Sequence, residues 1–179
     1  MKWRTLNGKH IEDIKQELFE LVETHQQYDL EFACGTDSQF HKRKKRKGFY
    51  ITYITALTVR FLTPGQIWTT DKQRRDRVGH GGRVFYFKET ESVTHHFPLE
   101  VRLTTEVGKA IDVAQFIDKT IEPLGYKIYD IHLDLNPDKV HLSNKVLGGC
   151  SGWVKGMGYC PVIKPDSYVA SKIADKKTR

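Results

Sequence analysis

Nothing in this sequence approaches the ~18 to 20 consecutive apolar residues that a membrane-crossing helix needs. The opening Met1-Lys2-Trp3-Arg4-Thr5 leads into polar residues rather than an apolar signal segment. A soluble, cytoplasmic protein is therefore expected. Cysteine is scarce: Cys34, Cys150 and Cys160 are an odd number and form no Cys-x-x-Cys pair. That argues against a disulfide framework and against a cysteine zinc site, and leaves buried free thiols as the expectation. The eight histidines show no zinc-ligand spacing. Glycine-rich phosphate loops of the Gly-x-Gly-x-x-Gly or Gly-x-x-x-x-Gly-Lys-Ser/Thr kind are missing, which argues against dinucleotide binding and against an actin-like ATPase. Internal repeats and Pro/Ser-rich linkers are missing too. The 179 residues suit a single domain. We divide them into an N-terminal helical extension, residues 1–28, packed on a domain of residues 29–179.

What the chain does have is a concentrated positive charge. Lys42, Arg43, Lys44, Lys45, Arg46 and Lys47 are six consecutive basic residues, and removing them from the net charge of +7 leaves +1. Charge gathered in one stretch reads as a site for phosphates rather than as general solubility. Arg74, Arg75 and Arg77 could extend the basic surface, and Trp68 could stack on a base.

Apolar periodicity supplies the elements. Ile11, Ile14, Leu18, Leu21 and Val22 predict a helix over 10–27. Strands are expected over 30–38, over the β-branched and aromatic stretch 49–62, and over 83–88. The basic run joins the first two strands, and a long connection, 64–82, joins the second and third. Leu103, Val107, Ala110, Ile111, Ala114, Ile117 and Ile121 mark one face of a helix over 99–124, with Pro98 before it and Gly125 as its stop. A strand over 127–135, a helix over 142–156, a strand over 159–163 and a helix after Pro165 complete the chain. Three antiparallel strands followed by β-α units give a mixed α/β (α+β) domain with a five-stranded sheet flanked by helices. Gly148, Gly152 and Gly156 share one helix face and are expected to let that helix approach the sheet closely.

Four acids are candidates for chemistry. Asp37 is expected to end the first strand and Asp134 the fourth. If these strands are parallel neighbours, both carboxylates stand at the rim where open α/β sheets place their sites. By alternation Ala33, Gly35 and Asp37 share one side of the first strand, and Asp130, His132 and Asp134 one side of the fourth. Glu106 lies beside the apolar stripe of the long helix, where a carboxylate is costly to bury unless paired or metal-bound. Asp175 is the fourth candidate, with Asp166 its rival; Asp166 and Ser167 read better as helix caps. Acids drawn from separate elements can hold two hard cations that clamp the attacking and leaving oxygens of a phosphodiester. His132, two residues before Asp134, is either a core histidine or a partner that orients Asp134. Lys155, Lys164 and Lys172 could reach a phosphate near such a site.

The strand end Gly35-Thr36-Asp37-Ser38, the helix segment Leu103-Thr104-Thr105-Glu106-Val107, the strand Ile131-His132-Leu133-Asp134 and the closing Lys164-Pro165-Asp166-Ser167-Tyr168-Val169-Ala170-Ser171-Lys172-Ile173-Ala174-Asp175-Lys176 resemble the YkuK-type ribonuclease H-like nucleases. The resemblance spans nearly the whole chain from about residue 28, and the closing motif is its most specific part. It implies a ribonuclease H-like fold with sheet order 3-2-1-4-5. It also implies a nucleic-acid hydrolase in which Asp37, Glu106, Asp134 and Asp175 hold two Mg²⁺ or Mn²⁺ ions. The alternative is a nucleic-acid-binding module on the same fold without catalysis, and a third reading is a scaffold protein.

Overall fold

The computed structural model describes residues 1–42, 48–94 and 97–169. In chain order its elements are β1 (Arg4–Thr5), α1 (Ile14–Thr24), β2 (Asp29–Lys42), β3 (Phe49–Leu62), α2 (Asp71–Arg75), β4 (Gly79–Val93), α3 (Leu99–Ile121, continued by a 3₁₀ turn over Glu122–Leu124), β5 (Ile128–His132), α4 (Asn144–Gly156) and β6 (Cys160–Val162). The backbone turns helical at Tyr168; the remainder of the expected last helix lies outside the described residues.

Among the described residues one sheet has the order β1-β4-β3-β2-β5-β6. Its last five positions are the five expected strands in the expected order. The correction is a sixth strand, the two residues Arg4 and Thr5, paired antiparallel with Tyr86 and Phe85 at the β4 edge. Two residues carry no readable period. Ile11, counted in the helical stripe, is instead extended and donates its N–H to the Trp3 carbonyl at 2.9 Å. The helix begins after Asp13, whose carboxylate accepts from Lys15 N–H at 2.8 Å.

β2, β3 and β4 form an antiparallel meander, and β2, β5 and β6 are parallel. The two sheet faces are covered differently. Phe32, Cys34, Leu57, Phe85, Phe87, Ile131, Leu133 and Leu135 pack with α1, α3 and α4 in the main core. Asp118 of α3 fastens that layer, accepting from Ile128 N–H at 2.7 Å and from the Tyr159 hydroxyl at 2.8 Å. On the opposite face Ala33, Ile54, Ala56 and Tyr86 pack with Tyr168 and Val169. Cys34 and Cys150 are buried free thiols, as expected, whereas Cys160 is half-buried.

Two glycine sites diverge. At Gly82 a Cβ would lie 2.3 Å from the Val59 carbonyl oxygen, beside the register shift between Arg60 and Leu62. Only glycine fits that close approach. Gly148, Gly152 and Gly156 do not pack on the sheet as expected. They are exposed, with nothing within 4 Å of a built Cβ. The buried side of α4 is formed by Cys150 and Val154, so a glycine stripe that shares one helix face here shares the outer one.

Candidate functional site

β2 does not end at Asp37 but runs on to Lys42, as one arm of a long hairpin with β3. A rim exists all the same, because parallel pairing with β5 stops at Gly35↔His132. Asp37 and Asp134 each stand two residues beyond that last pair, and alternation puts them on the same face. Beyond His132 the chain stays in line with β6: Leu133 N–H donates to Val162 O at 2.8 Å and Lys164 N–H to Leu135 O at 3.1 Å.

Glu106 reaches the rim from the other face, where α3 lies. Its carboxylate accepts from the Ser38 hydroxyl at 2.6 Å and is only 4 % exposed. Burial pushes its pKa up to about 8. The Ser38 hydrogen bond and the Arg102 guanidinium oppose the rise, and the charges of Asp37 and Asp134 add to it. Arg102, one turn earlier on α3, has its Nε 4.0 Å from Glu106 Oε1. Asp37 accepts from Ser38 N–H at 2.8 Å, and Asp134 is paired with Lys164, Nζ to Oδ1 2.9 Å. The structure thus brings Asp37 and Asp134 into electrostatic reach of Glu106. Asp175 lies outside the described residues. Asp166 ends a turn, with its N–H on Ile163 O at 3.0 Å.

The donor chemistry suits a hard divalent cation. Asp37 on β2 and Asp134 just past β5 act electrostatically on Glu106 of α3, and the raised pKa of that buried carboxyl, caused first by burial and then by its neighbours' charge, is a cost that a dication would relieve. Among the described residues, no three histidine, cysteine or acidic side chains are close enough to share one ion. The described acids therefore do not by themselves form a closed coordination cage.

Of the basic run, Lys42 is exposed and pairs with Phe49 at the end of β2; Arg43, Lys44, Lys45, Arg46 and Lys47 lie outside the described residues. Just below, Phe40 stacks on Phe49 (centroids 5.3 Å) and His41 on Tyr50 (4.8 Å).

His132 is 1 % exposed and packs edge-on against Tyr168, centroids 4.6 Å apart. Burial lowers its pKa to about 3, aided by Arg75, Arg74 and Arg60. Its surroundings are therefore a cluster of arginines, which sequence reasoning missed. Arg74, 0 % exposed, donates to Glu31 Oε1 at 2.9 Å and also to Asp130. Arg60 donates to Glu31 Oε2 and to the Arg75 carbonyl, both at 2.9 Å. Arg75 and Arg77 are paired with Asp130 and Asp29, and Trp68 meets Tyr129 edge-on at 5.7 Å. The expectation that Arg74, Arg75 and Arg77 extend a basic surface is corrected: paired with acids, they lock the β3–β4 connection onto the sheet. The available signal was Glu31 and Asp130, acids among the apolar residues of two strands that are covered on both faces.

A model of the ribonuclease H-like family matches residues 13–179, which takes in α1 and every later element. No curated protein and no solved structure matches the chain.

Proposed function

The chain belongs to the ribonuclease H-like family, and from that premise we propose that it is a divalent-metal-dependent nuclease hydrolysing phosphodiester bonds. The observation that carries the reading is Glu106: a buried carboxyl with a raised pKa, facing two further acids at the rim of a sheet. Acids whose pKa is shifted by burial and by neighbouring charges are candidates for a functional site. Asp37, Glu106 and Asp134 would hold Mg²⁺ or Mn²⁺, with Asp175 as the fourth acid. Such ions would activate a water and stabilise the leaving oxygen of an in-line displacement.

The chain's own residues have separate tasks. Ser38 orients the Glu106 carboxyl through its 2.6 Å hydrogen bond. Arg102 favours the charged form of that carboxyl. Residues 42–47 would track the phosphate backbone, which gives affinity without sequence readout. His132, neutral and enclosed, keeps the Asp130–Asp134 segment against the Tyr168 ring and stays outside proton transfer.

The test is calorimetric Mn²⁺ binding to wild type and Asp37→Asn, followed by cleavage of labelled single-stranded, duplex and hybrid nucleic acids. Binding lost in the variant together with metal-dependent cutting by wild type alone is the expected result; absence of both in wild type overturns the proposal. One observation favours a second reading, a nucleic-acid-binding module without catalysis: among the described residues no three acids stand within reach of one ion. In that case replacing Lys42 to Lys47 abolishes nucleic-acid binding, and Asp37→Asn leaves it intact.

A further inference from the structure

Lys164 stands where a cation is wanted. Its backbone N–H is bonded to the Leu135 carbonyl at 3.1 Å, which anchors Lys164, two residues past β6, beside the residue that follows Asp134. Its ammonium is 2.9 Å from Asp134 Oδ1, and the lysine and aspartate side chains are 39 % and 24 % exposed. Beside the pair a groove of about 380 Å³ is lined by Asn136, Pro137, Lys164 and Pro165. The ammonium sits on a flexible four-carbon stem, so from one fixed backbone position it can serve either the aspartate or the groove. Arg102, another cation at the rim among the described residues, instead has its Nε buried 4.0 Å from Glu106.

From this geometry we infer that Lys164 is an exchangeable counterion. In the metal-free protein its ammonium neutralises Asp134. When a divalent cation takes Asp134, the ammonium is displaced into the neighbouring groove, where it receives a substrate phosphate. Lys164 is thus a positioning residue that couples metal loading to phosphate binding. The inference rests on the nuclease reading for the role of Asp134. Its physical basis is competition: the ammonium lies 2.9 Å from Asp134 Oδ1, an oxygen with almost no accessible surface, so a second cation against that carboxylate is repelled until the ammonium leaves, and displacing it from a partly exposed ion pair costs ~1 kcal/mol. The displaced charge lowers the free energy of bringing a phosphate to the same rim.

The experiment titrates Mn²⁺ alone, by calorimetry, into wild type, Lys164→Met, Lys164→Gln and Lys164→Arg. The two neutral variants are expected to bind Mn²⁺ about fivefold more tightly than wild type, the equivalent of ~1 kcal/mol, and the arginine variant to stay near wild type. In Ca²⁺, binding of a labelled single-stranded oligonucleotide should weaken in the neutral variants. Its logarithmic salt slope should fall by ~0.7, the value of one phosphate contact. A lysine that only supported the fold would weaken both and change neither slope nor competition. If wild type binds Mn²⁺ and the neutral variants bind it equally or less well, the counterion role is overturned while the metal site stands. If neither wild type nor any variant binds Mn²⁺, both readings fall. If only the neutral variants bind it, the ammonium blocks the metal instead of exchanging with it, and the counterion role is overturned.

Discussion

At the scale of single residues, Glu106 makes the site's pH behaviour calculable in sign. In the unfolded chain its carboxyl loses its proton near 4.5, whereas in the folded protein it holds it to about 8. Between those values the folded state binds more protons, so this residue's contribution to stability falls as pH rises from 4.5 to 8 and is flat above. The slope approaches ~1.4 kcal/mol per pH unit. We therefore expect metal-free Glu106→Gln to be more stable than wild type at pH 9 in denaturant melts. The advantage should shrink steadily as pH falls toward 4.5, and an advantage that did not vary with pH would remove the burial argument. Metal binding to wild type should likewise tighten as pH rises through 8, because the ion must displace this proton. Glu106 was legible in the sequence, as an acid beside an apolar stripe. Its hydrogen bond to Ser38 was not, because spacing says nothing about which strand residue a helix residue meets.

Elements differed in how clearly they could be read. β3 was read to its ends, Phe49 and Leu62, because β-branched and aromatic residues fill it without a break. β2 and β4 run well beyond their expected limits, since their outer ends carry polar residues that cross-strand pairing, not hydrophobic period, keeps in the ladder. α2, five residues capped by Thr70 and Gln73, is too short to show a period at all. Glycines give the sharpest contrast at this scale. In α4, Gly152 faces solvent with room for a methyl group, so Gly152→Ala should raise stability by ~1 kcal/mol, the helix-propensity difference. In β4, Gly82→Ala would drive a Cβ into the Val59 carbonyl and should cost ~2 kcal/mol or more. Paired thermal melts would check both, and a destabilising Gly152→Ala would mean that the outer face of α4 has work of its own.

For the molecule as a whole, order and direction of the strands were recoverable, but what pins the two sheet faces was not. The Arg74 network joins α2, β2 and β5 through Glu31 and Asp130, and burial works against that charge while its two partners raise its pKa overall. Arg74→Met would leave two buried carboxylates without their shared partner. We expect a loss of ~3 to 5 kcal/mol in urea unfolding. The double variant Glu31→Gln with Arg74→Met should recover part of it, and a single variant as stable as wild type would show the network to be dispensable. Three arginines from one stretch of chain, Arg74, Arg75 and Arg77, read in sequence as a charged surface, because their partners lie far away in sequence on β2 and β5.

The parallel pairing of β2 with β5 also governs when the acids meet. The β2–β3–β4 meander can zip from neighbouring residues, whereas β2 can join β5 only after α3 has been laid across the sheet, and such distant pairings form late. A chain emerging from synthesis therefore displays Asp37 on a finished meander long before Glu106 and Asp134 exist beside it. The fold thus makes assembly of the three acids coincide with the docking of β5 on β2.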